Sequence, residues 1–322
     1  MKAYHFESPA TGLVPVELPD PVPGPGQVVL DVEAAGMCQS DVHILNGHGD
    51  EWLRKRPIVL GHEVAGTVAA LGPQVTDFAV GDRVAVALIS HPIEQADFAD
   101  AIGLGYDGGY AGKAAVPVRN LVRIPESVPF THAAVATDSI ATAYHAVVAE
   151  SGAIPGSTVV IIGLGGLGLN GVRIAALQGA TVYGIDIDDT VFGAARAQGA
   201  LACFARIADI PGPIDTVVDF AGVGTTTADA IAAVKPGGRV VLVGLGAAEA
   251  IVSTHQLVTN NIQLRGSIGA SIGELEAVLD LLANGSLEPL IEEVDFADLE
   301  AAIRRLEKGD VRGRLVTRPR GV

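Results

Sequence analysis

The chain has 322 residues, more than one hydrophobic core usually serves, so two domains are expected, and 49% hydrophobic residues supply material for both. Aromatic residues make up only 4%, which leaves Ala, Val, Leu and Ile to do most of the packing. With 21 basic against 37 acidic residues, net −16, the surface repels phosphate backbones and anionic lipid, which argues against nucleic acid and membranes as partners.

The N-terminal "MKAYHFESPATG" lacks an apolar run of the signal-peptide kind. Nowhere do about 18 apolar residues run without interruption by Gly, Pro or charge, so a soluble, cytoplasmic protein is expected. Up to about residue 150 the texture is β-rich: short runs such as "QVVLDVEAAG" (27–36) and "GDRVAVALI" (81–89) stand between turn clusters such as "PDPVPGPG" (19–26). Beyond it the rhythm becomes strand, helix, strand, helix. The runs "TVVIIG" (158–163), "TVYGID" (181–186), "DTVVDFAG" (215–222) and "GRVVLVG" (238–244) are continuously apolar and separated by Ala-rich helical stretches. Strands apolar on both faces suit a parallel sheet covered by helices on both sides. From about residue 269 the pattern predicts a helix over 272–285, with Gly285 at its C-terminal cap, a second helix within 296–310, and a strand in "GRLVTR". The two cysteines, Cys38 and Cys203, fall in differently patterned halves and read as thiols rather than a disulfide.

Two motifs carry chemistry. In "GLGGLG" (163–168), Gly163, Gly165 and Gly168 have GxGxxG spacing at the end of a buried strand and the start of a helix. Such glycines allow a tight turn and close backbone approach, so that a pyrophosphate can sit on helix-terminal N–H groups. Asp186 closes the next strand 18 residues after Gly168, where it would accept from adenosine ribose hydroxyls and repel a 2′-phosphate, favouring NAD over NADP. A merely structural turn, and for Asp186 a helix N-cap in "DIDD", are the plainer alternatives. In the first half, "AAGMCQSDVHILNG" (34–47) crowds Cys38, Ser40, Asp41 and His43, and "GHE" begins 23 residues after Cys38. Cys38 and His62 make a zinc-like pair, although two ligands do not hold a catalytic zinc and, on these two residues alone, a buried Cys with a surface His is the better reading.

The run Gly36–His43, "GHEVAGTVAALG" (61–72), "GDRVAV" (81–86), "DGGYAGKAAVP" (107–117), "TAYHAV" (142–147), "GLGGLG" and "GDVRGRLV" (309–316) occur in an order that resembles zinc-dependent medium-chain alcohol dehydrogenases. That resemblance implies an α/β chain with a GroES-like β-barrel catalytic domain at 1–139 and 269–322. It implies that these two segments lie around a doubly wound parallel Rossmann sheet at 140–268, with the active site in the cleft between the two domains. It implies one catalytic zinc held by Cys38, His62 and Asp138, where many relatives have a cysteine as third ligand; Cys, His and Asp resembles the set of bacterial secondary alcohol dehydrogenases. The ion would lower the pKa of a substrate alcohol. Asp41 would orient His62, and Ser40 with His43 would relay the alcohol proton to solvent. Glu63 resembles an acidic residue that transiently joins the zinc in some relatives; its plainer alternative is a buried ion-pair partner for an arginine near the cofactor. Gly163, Gly165, Gly166, Leu167, Gly168, Asp186, Val243 and Arg314 would bind NAD, Arg314 at the pyrophosphate.

The stretch 90–109 has no cysteine where many relatives place a four-cysteine lobe, so a structural zinc is not expected. Asp138 has its own plain alternative, an N-cap of a helix "SIATAYHAVVAE"; Asp41 could be a solvated loop carboxylate, and His43 an ordinary surface residue. A small alcohol or carbonyl substrate and a homo-oligomer, dimer or tetramer, are implied. Trp52 and parts of 90–110 would line the substrate pocket. The competing functions are reduction of activated C=C or C=N bonds on the same fold, against which Ser40 and His43 argue, and a non-catalytic dinucleotide sensor.

Overall fold

A computed structural model describes residues 1–89 and 91–320. The chain divides into two units, Met1–Ala141 together with the segment from Gly269 onward, and Thr142–Ile268.

In the first unit the alternating runs form a mostly antiparallel sheet. Its strand order is Ile291–Val294, Arg314–Thr317, Gln27–Met37, Glu63–Leu71, Arg83–Val86, Leu121–Arg123, and Lys113–Pro117 also pairs with Gln27–Met37. Lys2–Phe6 lies between Leu13–Glu17 and Ile58–Val59 in a separate small sheet. The interior is filled by Phe6, Leu30, Met37, Ile44, Ile58 and Leu60, all fully buried. Register is what matters for function: Gly36 stands opposite Glu63, and Leu315 opposite Met37. Cys38, His62, Glu63 and Arg314, distant in sequence, therefore arrive at one end of the sheet.

The helix Ile272–Ala283 starts on a Ser271–Glu274 capping box, buries Leu275, Val278 and Leu279 along one stripe, and is followed by Gly285 at φ 73°. The helix Leu299–Glu307 buries Leu299, Ala302, Ile303 and Leu306 in the same way. Residues 91–109 contain the short 3₁₀ turns Ile93–Gln95 and Phe98–Asp100 and a β-bridge between Ile102 and Tyr106, with Phe98 stacked on Trp52 at 6.5 Å between ring centroids. The plainer alternative for Asp138 is excluded. No helix starts at Ser139: Pro129 caps the helix Phe130–Val135, which runs on into a π-helical turn, Ala136–Ile140, so Asp138 is inside a helix and not at its N-cap.

In the second unit six strands form a parallel sheet in the order Ala202–Phe204, Thr181–Ile185, Thr158–Ile162, Ile214–Asp219, Val234–Leu242, Gln263–Gly266. Numbered within the unit this is 3-2-1-4-5-6, the doubly wound dinucleotide-binding order. Its inner strands carry apolar runs that bury Val160, Ile162, Val217 and Val240 in the core. Among the described residues, no helix is long and apolar enough to cross a membrane.

Candidate functional site

Three buried donors meet in the first unit. Cys38 follows the strand Gln27–Met37, His62 precedes Glu63–Leu71, and Asp138 comes from the π-helical turn. One ligand atom from each lies within 4.8 Å of the others. Asp138 Oδ2 is 3.4 Å from Cys38 Sγ and 3.5 Å from His62 Nε2. The edges of a tetrahedron drawn with Zn–S of about 2.3 Å and Zn–N or Zn–O of about 2.0–2.1 Å run to roughly 3.3–3.6 Å. One thiolate, one imidazole and one carboxylate at this spacing fit a zinc ion with an open fourth position. Among the described residues this is the one His, Cys, Asp and Glu group able to hold a metal.

A second ring of contacts orients the donors. Asp41 is fully buried, not solvated; its Oδ2 accepts from the Cys38 N–H at 3.0 Å and the Tyr110 hydroxyl at 2.7 Å. Its Oδ1 faces His62 Nδ1 at 3.5 Å, and neither atom has a made hydrogen bond. Closing that gap by a few tenths of an ångström satisfies both and leaves Nε2 for the metal. Tyr110, fully buried, carried no role in the sequence reading. A Tyr after two glycines has no spacing signal that would have marked it. Arg314, expected at cofactor phosphates, is buried in this cluster: Nε and Nη2 donate to the Glu63 oxygens at 2.9 and 2.7 Å, and Nη2 lies 3.5 Å from Asp138 Oδ2.

The electrostatics of the metal-free cluster make a prediction. Burial pulls the His62 pKa down, but the charge of Asp41, with Asp138 and Cys38 also close to the ring, carries it well above the usual histidine value. Burial pushes the Asp41 carboxyl up, and His62, the Cys38 N–H and Tyr110 outweigh that, leaving it below its ordinary value. A proton held by His62 stabilises the metal-free fold fully below the ordinary histidine pKa, and that stabilisation is lost as pH rises through the raised value. Zinc must displace this proton. Zinc binding near pH 6.5 should release about one proton or more, and affinity should fall as pH is lowered. Calorimetric titration in buffers of different ionisation enthalpy measures it; no buffer dependence would contradict the arrangement.

Ser40 and His43 lie three residues apart on the helix Gln39–Leu45, hence on one face. Ser40 Oγ is 3.5 Å from Cys38 Sγ. His43 is half-buried, and burial, then the neighbouring His48, lowers its pKa, so it is uncharged near neutrality and able to accept a proton.

The nucleotide motif folds in the second unit with a distinct task for each glycine. Gly163 turns at φ 82°; a Cβ on Gly168 would overlap the Gly163 carbonyl; a Cβ on Gly165 would meet nothing within 4 Å. The middle position is therefore open for close approach of a phosphate, at the N-terminus of the helix Gly166–Leu177, where Gly166 and Leu167 belong to the first turn. Asp186 Oδ2 accepts from the Leu164 N–H at 2.7 Å and Oδ1 from the Asp188 N–H at 3.0 Å, tying the turn to the second strand. The cap nearby belongs to Asp188, which accepts from the Thr190 N–H. Val243 follows the fifth strand, its N–H donating to the Asp219 carbonyl at 3.0 Å. Asp219 itself, unremarked in the sequence, holds the Ala221 and Gly222 N–H groups and the Thr226 and Thr227 hydroxyls.

Comparison with known proteins shows the family. The family model described as alcohol dehydrogenase GroES-like domain matches residues 24–126, and zinc-binding dehydrogenase matches 166–284. An alcohol dehydrogenase of Geobacillus stearothermophilus is 30% identical over 98% of this chain and 99% of its own. An acryloyl-coenzyme A reductase of Sulfurisphaera tokodaii is 27% identical over 99% of this chain and 100% of its own. Among solved structures, an acetophenone reductase from Geotrichum candidum in complex with NAD has a TM-score of 0.91 at 33% identity, covering 98% of this chain and 96% of that one.

Proposed function

The chain belongs to the zinc-dependent medium-chain alcohol dehydrogenase family, and from that premise we propose that it moves hydride between a secondary alcohol, or the matching carbonyl compound, and NAD. The observation that carries the reading is the buried meeting of Cys38, His62 and Asp138. Zinc held by these residues supplies a Lewis acid that lowers the pKa of a substrate hydroxyl. NAD supplies the hydride acceptor. The protein's own part is positional and protic. Asp41, held by Tyr110, orients His62. Ser40 Oγ would take the hydroxyl proton as it hands its own on, and through a cofactor ribose hydroxyl the His43 ring would pass a proton outward to solvent. The Gly163–Gly168 turn receives the pyrophosphate, and Asp186 keeps lone pairs for the adenosine ribose.

Asp186→Ser should narrow or reverse the preference for NAD over NADP, and because Asp186 also holds the Leu164 N–H, it should raise the KM for NAD. Steady-state kinetics with both cofactors measure it; a higher kcat/KM with NADP in the unmodified protein would contradict the assignment.

A second reading, reduction of an activated C=C bond, is supported by the acryloyl-coenzyme A reductase similarity. It has no use for Ser40 and His43 as a proton relay. Two free, buried thiols, one of them a metal donor, support placement in the reducing cytoplasm. The exposed edge strand Gln263–Gly266, with Val258 79% and Ile251 96% exposed in the same unit, supports a homo-oligomer, read by light scattering. The function is tested by NAD reduction with a panel of secondary alcohols before and after chelation. Activity should vanish with the metal and return with zinc; turnover of activated C=C substrates alone, or undiminished turnover without metal, would overturn the proposal.

A further inference from the structure

Glu63 is buried at the metal cluster, yet its carboxylate is already engaged. Both oxygens take the Arg314 guanidinium, at 2.9 and 2.7 Å, and Oε1 also accepts the Ser139 N–H at 2.8 Å. A helical N–H ordinarily reaches a carbonyl one turn back. Here the N–H beside the third metal donor reaches a side chain of the sheet, within the π-helical turn Ala136–Ile140. Such turns are rare and frequently lie at functional sites. The sheet is shaped for the carboxylate too, since a Cβ on Gly36, directly opposite Glu63, would overlap Glu63 Oε2. Arg314 completes the frame: it comes from the strand on the other side of Gln27–Met37, and its Nη2 also lies 3.5 Å from Asp138 Oδ2.

We infer that the Glu63–Arg314 pair is a positioning device for Asp138: it grips the helix backbone at Ser139, holds the π-helical turn, and so fixes the third donor, while Glu63 itself stays out of the metal's ligand set. Two elements distant in sequence, the start of Glu63–Leu71 and the start of Arg314–Thr317, thereby set the reach of a third. The inference rests on the zinc reading.

The test is zinc affinity by chelator competition on the metal-free full-length protein, with the absorption of the cobalt(II) form as a report of donor geometry. Glu63→Gln, and the charge-neutral double variant Glu63→Met with Arg314→Met, should each weaken zinc about 10–100-fold and alter the cobalt spectrum. The double variant leaves no buried charge unpaired, so it should fold, and it separates positioning from a simple change in local charge. In an Asp138→Ala background, Glu63→Gln should add no more than about twofold, because the residue it acts through is gone. Unchanged affinity and spectrum in both variants would overturn the inference. So would a Glu63→Gln cost as large in the Asp138→Ala background as in the unmodified protein, which is the behaviour of a ligand. An unmodified protein that takes up no zinc would overturn the zinc reading itself and the inference with it, and shows before any variant is made.

Discussion

Asp138→Asn should lose most of its zinc on dialysis against a mild chelator and most of its activity with it, while Asp138→Cys should keep the metal. The isosteric change removes a charge and a donor from a three-donor site, so the loss in zinc affinity should exceed the roughly 10–100-fold typical of residues that only support a ligand. Fold stability should change little by comparison, because Arg314 keeps both oxygens of Glu63. The position makes the test clean. Asp138 lies inside a helix that begins eight residues earlier at Phe130, away from its unbonded first-turn N–H groups, so an Asn there cannot act as a substitute cap. Asp138→Cys restores a thiolate where many relatives have one and keeps three donors. Elemental analysis of the three proteins decides it. Full zinc occupancy in Asp138→Asn would leave Cys38 and His62 needing another partner.

Ser40→Ala should cut alcohol oxidation by about 10²–10⁴ if the whole proton-transfer contribution is lost, with zinc content unchanged. The hydroxyl lies 3.5 Å from Cys38 Sγ, and the start of its helix is secured by the Asp41 carboxylate on the Cys38 N–H, so the fold does not depend on it. The pH profile adds a second readout. His43 has a lowered pKa and is uncharged at neutrality, so acid protonates it and removes the acceptor, and rates in the unmodified protein should fall on the acid side. Unchanged turnover in Ser40→Ala across pH 6–9 would take Ser40 out of the mechanism and favour the C=C reductase reading.

The nucleotide-binding half was legible because its signals are local. Continuously apolar strands, helical spacers and a glycine triplet all lie within short windows, and the structure gives them a parallel sheet in the doubly wound order. The metal site is assembled by register, which no window contains. That Gly36 faces Glu63, and that Arg314 arrives on the next strand, follows from strand pairing between segments far apart in the chain. Asp138 shows the cost of reading locally. Asp followed by Ser in an Ala-rich run leaves a cap open beside a ligand, whereas the structure sets it in a π-helical turn whose Ser139 N–H donates to a carboxylate from another element. Tyr110 escaped for the same reason, since its value is the Asp41 oxygen it reaches across the fold at 2.7 Å.

The central claim is a single zinc on one sulfur, one imidazole nitrogen and one carboxylate oxygen. X-ray absorption at the zinc edge, on protein whose metal content has been counted, reads that donor set directly. One zinc per chain should appear, with a single sulfur at about 2.3 Å and the remaining donors nitrogen or oxygen at about 2.0–2.1 Å. A zinc with two or more sulfurs, one with none, or a protein that is active with no bound metal would contradict it.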